Sequence, residues 1–222
     1  MAIYRMYPGQ RKGFFPEFSL NAKLILVNVI LFVLFSIFIR LNYLPVDYIA
    51  IKPSNIMQGK FLWTFFTSIF MHGGILHLFA NMLSLFFIGG LVERLIGKKR
   101  YFLFYLISGL FAGGLFILSA FIFPQSYDTY AVGASGAIFG LIGLLMLVTP
   151  NLPVYIMFIP IPIKMKYAAP GILILLWFIS AVGNIPIGNT AHLGGLLTGL
   201  AYGIYLRIKY KNKTKYISRH FA

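Results

Sequence analysis

The chain has 222 residues, 59% of them hydrophobic and 18% aromatic, with 19 Lys or Arg against 4 Asp or Glu and no cysteine. That is more apolar side chain than one water-soluble core of this length can hide, and the lack of thiols excludes disulfides, thiolate metal sites and cysteine nucleophiles. A net charge of +15 in a soluble chain would suggest nucleic acid, but its placement here follows membrane topology, so no nucleic-acid partner is expected.

Apolar stretches near the roughly 20 residues that cross a hydrocarbon core predict six spans, over 22–41, 73–93, 101–123, 133–149, 168–184 and 191–207. The expected organisation is an all-α membrane protein: a cytoplasmic N-terminal segment 1–21, a six-helix membrane domain 22–207 and a basic cytoplasmic tail 208–222. The first stretch ends Phe38-Ile-Arg40 without a small-residue cleavage site, so it reads as a retained span and not a signal peptide. The connection 42–72 is apolar and aromatic (Phe61-Leu-Trp-Thr-Phe-Phe66) and is expected to sit partly in the outer leaflet. With the N-terminus inside, one side collects Arg5, Arg11, Lys12, Lys23, Arg94, Lys98, Lys99, Arg100, Lys164, Lys166 and the six cations from Arg207 to Arg219. The other side holds Arg40, Lys52 and Lys60. This asymmetry places both termini in the cytoplasm and the chain in the cell membrane as an integral multi-pass protein. The polybasic tail KYKNKTKYISRH either lies on anionic headgroups or is solvated and disordered.

Polar side chains inside a bilayer are costly, so the few present carry information. His77 and Asn81 are four apart in the second span and share a face; Ser135 begins the fourth span and His192 the sixth. All three spans run from outside to inside, so the four residues fall toward the outer end. At about 17 residues and roughly 1.5 Å each, the fourth and sixth spans are expected to be short, about 25 Å, and to start below the outer surface in a water-accessible recess. Gly133, Gly136, Gly140 and Gly143 stud the fourth span, and Gly195, Gly199 and Gly203 recur every four residues on the sixth, a pattern that allows close backbone approach. Such packing brings Ser135 toward His192, and a serine beside a neutral histidine is an activated nucleophile. The Ser135 amide at a helix start, with His77 and Asn81 as side-chain donors, suits an oxyanion. The acids, Glu17, Asp47, Glu93 and Asp128, lie in tails, loops or helix ends, which leaves a dyad. Taken singly, each residue has a plainer explanation: packing or back-bonding for Ser135, interhelical hydrogen bonds for His77 and Asn81, a helix cap for His192. Their common depth and side is what packing does not require. His72, His77 and His192 match no metal-ligand spacing, so no metal and no cofactor is expected.

These residues resemble the rhomboid family of intramembrane serine proteases over roughly 22–207. The family's GxSG reads Gly133-Ala-Ser-Gly136, its HxxxN reads His77-Leu-Phe-Ala-Asn81, and its AHxxG reads Ala191-His-Leu-Gly-Gly195. The resemblance implies a six-transmembrane-helix rhomboid-type bundle, Ser135 as nucleophile, His192 as general base, and an oxyanion hole of His77, Asn81 and the Ser135 amide. It also implies that Phe139 stacks on the histidine ring, where many relatives carry tyrosine. The first-loop Trp-Arg of many members reads Trp63-Thr64, and Glu93-Arg94 resembles a structural Glu/Arg pair. The implied reaction is hydrolysis of transmembrane protein substrates near their extracytoplasmic end. Substrate entry is implied beside the fifth span, under a lid at Gly183-Asn-Ile-Pro-Ile-Gly188. A non-catalytic scaffold and a small-solute transporter are the competing readings; the first is opposed by retention of both dyad residues, the second by a polar cluster confined to one face. The oligomeric state is not encoded in any of these features.

Overall fold

The computed structural model describes residues 19–156, 161–183 and 187–221, the side chain of His220 excepted. Helix α1, Leu20–Arg40, opens with Ser19 Oγ accepting from the Ala22 amide (3.1 Å). Two more of its first amides, those of Leu20 and Asn21, donate to the carboxylate of Glu93 at 3.0 and 2.8 Å. The connection predicted as one non-spanning segment contains two short helices, α2 (Pro53–Met57) and α3 (Thr64–Thr67). It is tied down by Trp63 Nε1 donating to Tyr48 O (2.9 Å) and by Thr67 Oγ1 donating to Ile49 O (2.8 Å). Thr64, at the departure from the family's Trp-Arg, donates to Phe61 O (2.8 Å) and is buried.

The second long helix is built of α4 (Ile75–Ser84), a π turn (Leu85–Gly89) and α5 (Gly90–Ile96). A π turn inserts a residue and disturbs the carbonyl ladder, and here Asn21 Nδ2 donates to the Leu85 carbonyl at 2.9 Å. The Tyr101 hydroxyl donates to Asn21 Oδ1 (2.6 Å), and Gly89 lies directly beneath both, where any Cβ would collide. Gly97, at φ 85°, ends the helix and starts α6, Lys98–Ser119. Then follow α7 (Ser135–Val148), a two-residue antiparallel pair β1 (Pro153–Val154) and β2 (Ile163–Lys164), α8 (Met165–Gly183), α9 (Asn189–Lys209) and α10 (Lys211–His220).

Among the described residues four helices are long and apolar enough to cross a membrane: Leu20–Arg40, Ile75–Ile96, Lys98–Ser119 and Met165–Gly183. Helix α7 is apolar but only 14 residues long, about 21 Å at the usual rise. The sixth predicted span corrects the expectation of a short helix: α9 has 21 residues. Its Asn189, Thr190, His192, Thr198 and glycines dilute its apolar content: one face packs on α6 and α7, while Leu197, Ile204 and Ile208 are exposed on the other. The tail also departs from disorder. In α10, Thr214 is buried and Ile217 packs on the core, and the helix lies against α7 and α9.

Helix α7 occupies the centre, buried along nearly its whole length with no polar face, as an apolar-all-round helix must be. Its seam with α9 is made by glycine: a Cβ at Gly195 would strike Gly136 O, one at Gly199 would strike Gly140 O, and one at Gly143 would strike Leu196 O. Gly194 faces α6, where a Cβ would stand 2.9 Å from Leu115 Cβ and 3.2 Å from Phe111 O. Backbone contact this close fixes the height of α9 against α7, and with it the height of His192 against Ser135.

Candidate active site

Ser135 is the first residue of α7 and His192 lies in the first turn of α9. The glycine seam brings Ser135 Oγ to 2.8 Å from His192 Nε2, between residues 57 apart in sequence. Phe139, one turn after Ser135, stacks on the imidazole at 4.6 Å between centroids and 17° between planes. His192 is buried, and its Nδ1 has no hydrogen-bond partner among the described residues. Orientation of the ring therefore comes from Phe139 and from Ser135. Acceptance of the serine hydroxyl proton by Nε2 requires the neutral tautomer with hydrogen on Nδ1.

Gly133 precedes the serine at φ 117°, and its amide donates to Ser68 O at 2.8 Å. A Cβ there would stand 2.8 Å from His77 Cε1 and 2.9 Å from His77 Nε2. His77 is thus against the loop that presents Ser135. Its Nδ1 accepts from the Gly73 amide (3.3 Å), so the neutral ring carries its hydrogen on Nε2, the atom turned toward Gly133. Asn81 Nδ2 donates to His77 O (2.9 Å) and lies 3.7 Å from the same Cβ position. An amide nitrogen has two hydrogens, so the bond to its own helix leaves one for the site. The Ser135 amide belongs to the first turn of α7, whose first backbone bond is Ile138 N–H to Ala134 O, and so lacks an intrahelical acceptor. Two side-chain donors of α4 thus stand against Gly133, two residues before the hydroxyl and its amide.

All four dyad and donor residues expected from the sequence thus come to one place, with Phe139 beside them and Gly133, Gly136, Gly195 and Gly199 at the close contacts. Two participants are not recognised by the sequence motifs. The Gly73 amide sets the His77 tautomer, and His72, buried with its ring edge-on to His77 at 5.3 Å and 70°, forms the wall behind it. The spacing of five between the histidines was the available signal for the second. Among the described residues no three His, Cys, Asp or Glu side chains converge as metal ligands. No described acid reaches His192: Asp47 accepts from Asn55 and Tyr130, Asp128 from Ser54, and Glu93 from α1, while Glu17 lies outside the described residues. Residues 184–186 of the expected lid are also outside them.

The family model described as the rhomboid domain matches residues 60–209, more than half of the chain. RHOMBOID-like protein 1 of Arabidopsis thaliana is 38% identical over 163 residues, 72% of this chain and 38% of that protein. RHOMBOID-like protein 6, mitochondrial, of the same plant is 35% identical over 182 residues, 77% of this chain and 54% of that protein. Rhomboid protease GluP of Bacillus subtilis is 38% identical over 151 residues, 68% of this chain and 27% of that protein. The chain spans about a quarter to a half of the length of these relatives.

Proposed function

This chain belongs to the rhomboid family, and from that premise we propose that it is an intramembrane serine protease acting through a Ser135–His192 dyad. The observation that carries the proposal is the 2.8 Å approach of Ser135 Oγ to His192 Nε2 from two different helices. His192 takes the hydroxyl proton as Ser135 Oγ attacks the scissile carbonyl. The tetrahedral oxyanion forms among the Ser135 amide, His77 Nε2–H and Asn81 Nδ2–H, where fixed donors stabilise it without reorganisation. His192 then protonates the departing amine, leaving an acyl-enzyme. A water molecule deprotonated by the same imidazole releases the second product.

The substrates of this reading are transmembrane proteins, cut near the extracytoplasmic end of a span. A helix sequesters its carbonyls, so the cut favours residues that let the helix unwind locally. Six spans follow if the short α7 and the glycine-rich α9, which pack on each other and on α6, are added to the four apolar helices. The cations Arg94, Lys98, Lys164, Lys166 and Arg207 then gather at the end away from Ser135, an asymmetry that supports a reading with both termini in the cytoplasm and Ser135 beneath the outer face of the cell membrane.

The test is cleavage of single-span substrates by the purified protein, with Ser135→Ala and His192→Ala alongside. Each variant is expected to lose cleavage while keeping its helicity and detergent extraction, and a fluorophosphonate probe is expected to label Ser135 alone. Residual cleavage by either variant at the wild-type rate refutes the dyad.

A further inference from the structure

The end of the bundle farthest from Ser135 holds an opening that the dyad does not use. A groove of about 740 Å³ lies between the start of α1, the α5 end of the second long helix and the start of α6. At 1.5 Å per residue, Arg94 on its wall is roughly 25 Å along the helix from His77.

The chemistry of the groove changes along its length. Phe86 and Phe87, both in the π turn, are 62% and 63% exposed and pair edge to face at 5.1 Å. Gly90 beside them leaves a notch, since a Cβ there would meet only Asn21 Nδ2, at 3.7 Å. Beyond the notch stand Arg94 and Lys98, both exposed. Arg94 Nε donates to Gly90 O (3.1 Å), which lays the guanidinium along the groove wall. Among the described residues the one acid on the lining is Glu93, and both of its oxygens are engaged by α1 amides. Lys99 and Arg100 follow on the exposed start of α6.

We propose that this groove binds an anionic phospholipid of the adjoining leaflet, its phosphate on Arg94 and Lys98 and its glycerol and upper acyl carbons against Phe86 and Phe87. Guanidinium forks match phosphate oxygens bidentately, and an interfacial cation attracts an anionic lipid more than a neutral one. Free phosphate leaves the aromatic floor unused, and a neutral lipid brings no net charge to the Arg94 guanidinium. Only an amphiphilic anion engages both ends, and it does so independently of any peptide chemistry at Ser135.

The experiment offers the full-length protein equimolar phosphatidylglycerol and phosphatidylcholine of matched chains in detergent, and counts retained lipids by native mass spectrometry. Phosphatidylglycerol is expected to exceed phosphatidylcholine roughly tenfold, the equivalent of one charge-assisted hydrogen bond. The double variant Arg94→Gln, Lys98→Gln is expected to lose that preference, while Lys213→Gln, Lys215→Gln on α10 keeps it. Lys98→Glu alone gives the same reading should the double variant fail to fold. Equal retention of the two lipids overturns the proposal, as does a preference that follows the α10 lysines. Displacement of phosphatidylglycerol by an equal concentration of inorganic phosphate also overturns it, by reducing the groove to a plain anion site.

Discussion

Gly133 meets two demands that no other residue satisfies together. Its φ of 117° is outside the range of L side chains, and the volume a Cβ would take is already held by the His77 ring. Gly133→Ala is expected to destabilise the fold by about 1–3 kcal/mol and to displace His77, so that turnover falls more than stability does; unfolding midpoints measured beside kcat separate the two. Phe139 acts on His192 through ring contact, which a tyrosine reproduces and a leucine does not. Phe139→Tyr should keep kcat, and Phe139→Leu should lower it up to roughly tenfold, the worth of an aromatic pair. Steady-state cleavage kinetics measure both. At this scale much of the site is legible in the sequence, because Ser135, His192, His77 and Asn81 are polar groups in apolar surroundings and motif spacing fixes their faces. The Asn81 bond to its own helix and the Gly73 amide on His77 were not legible: both are backbone contacts, and glycine shows no chemistry in a sequence.

Glu93 works between elements rather than within the site. Its two oxygens take the first amides of α1, and Asn21 beside them joins the Leu85 carbonyl at the π turn to the Tyr101 hydroxyl of α6. Three helices therefore meet in one polar knot at the end opposite Ser135. Glu93→Gln turns an NH₂ group toward the amides it should accept from, at a cost of about 1.5–3 kcal/mol for the charge-assisted bonds. The expected result is a lower thermal midpoint with the Ser135 probe reaction intact below it; an unchanged midpoint removes the knot from the stability of the fold. Long apolar helices such as α1 and α6 could be read from the sequence to within a few residues, since lipid contact dictates their composition. The π turn, α2, α3 and the full length of α9 could not. Short helices carry no periodicity, and α9 owes its form to the glycine seam, a tertiary contact that overrides its modest hydropathy.

Across the whole molecule, charge and chemistry divide between two ends. The Ser135 end carries a clasp between the α1–α4 connection and the segment before α7. Ile51 bridges Ala131, and Lys52 lies 3.3 Å from Asp128. Hydrogen bonds from Ser54 and then Lys52 hold the Asp128 carboxyl below its usual range. A depressed carboxyl lends stability above its unfolded value and loses it as pH falls through the folded one, but this pair is largely in solvent and contributes little. The opposite end is basic and includes α10, whose Lys211, Lys215 and Arg219 recur along one exposed side of a docked helix. If that division is membrane topology, single cysteines report it directly, because the chain contains none of its own. Lys60→Cys, exposed on the α1–α4 connection, should react with an impermeant maleimide added to intact cells. Lys99→Cys and Lys213→Cys should react only after permeabilisation. Labelling of Lys213→Cys in intact cells would place the tail outside, and a dyad turned to the cytoplasm would then need substrates presented from that side.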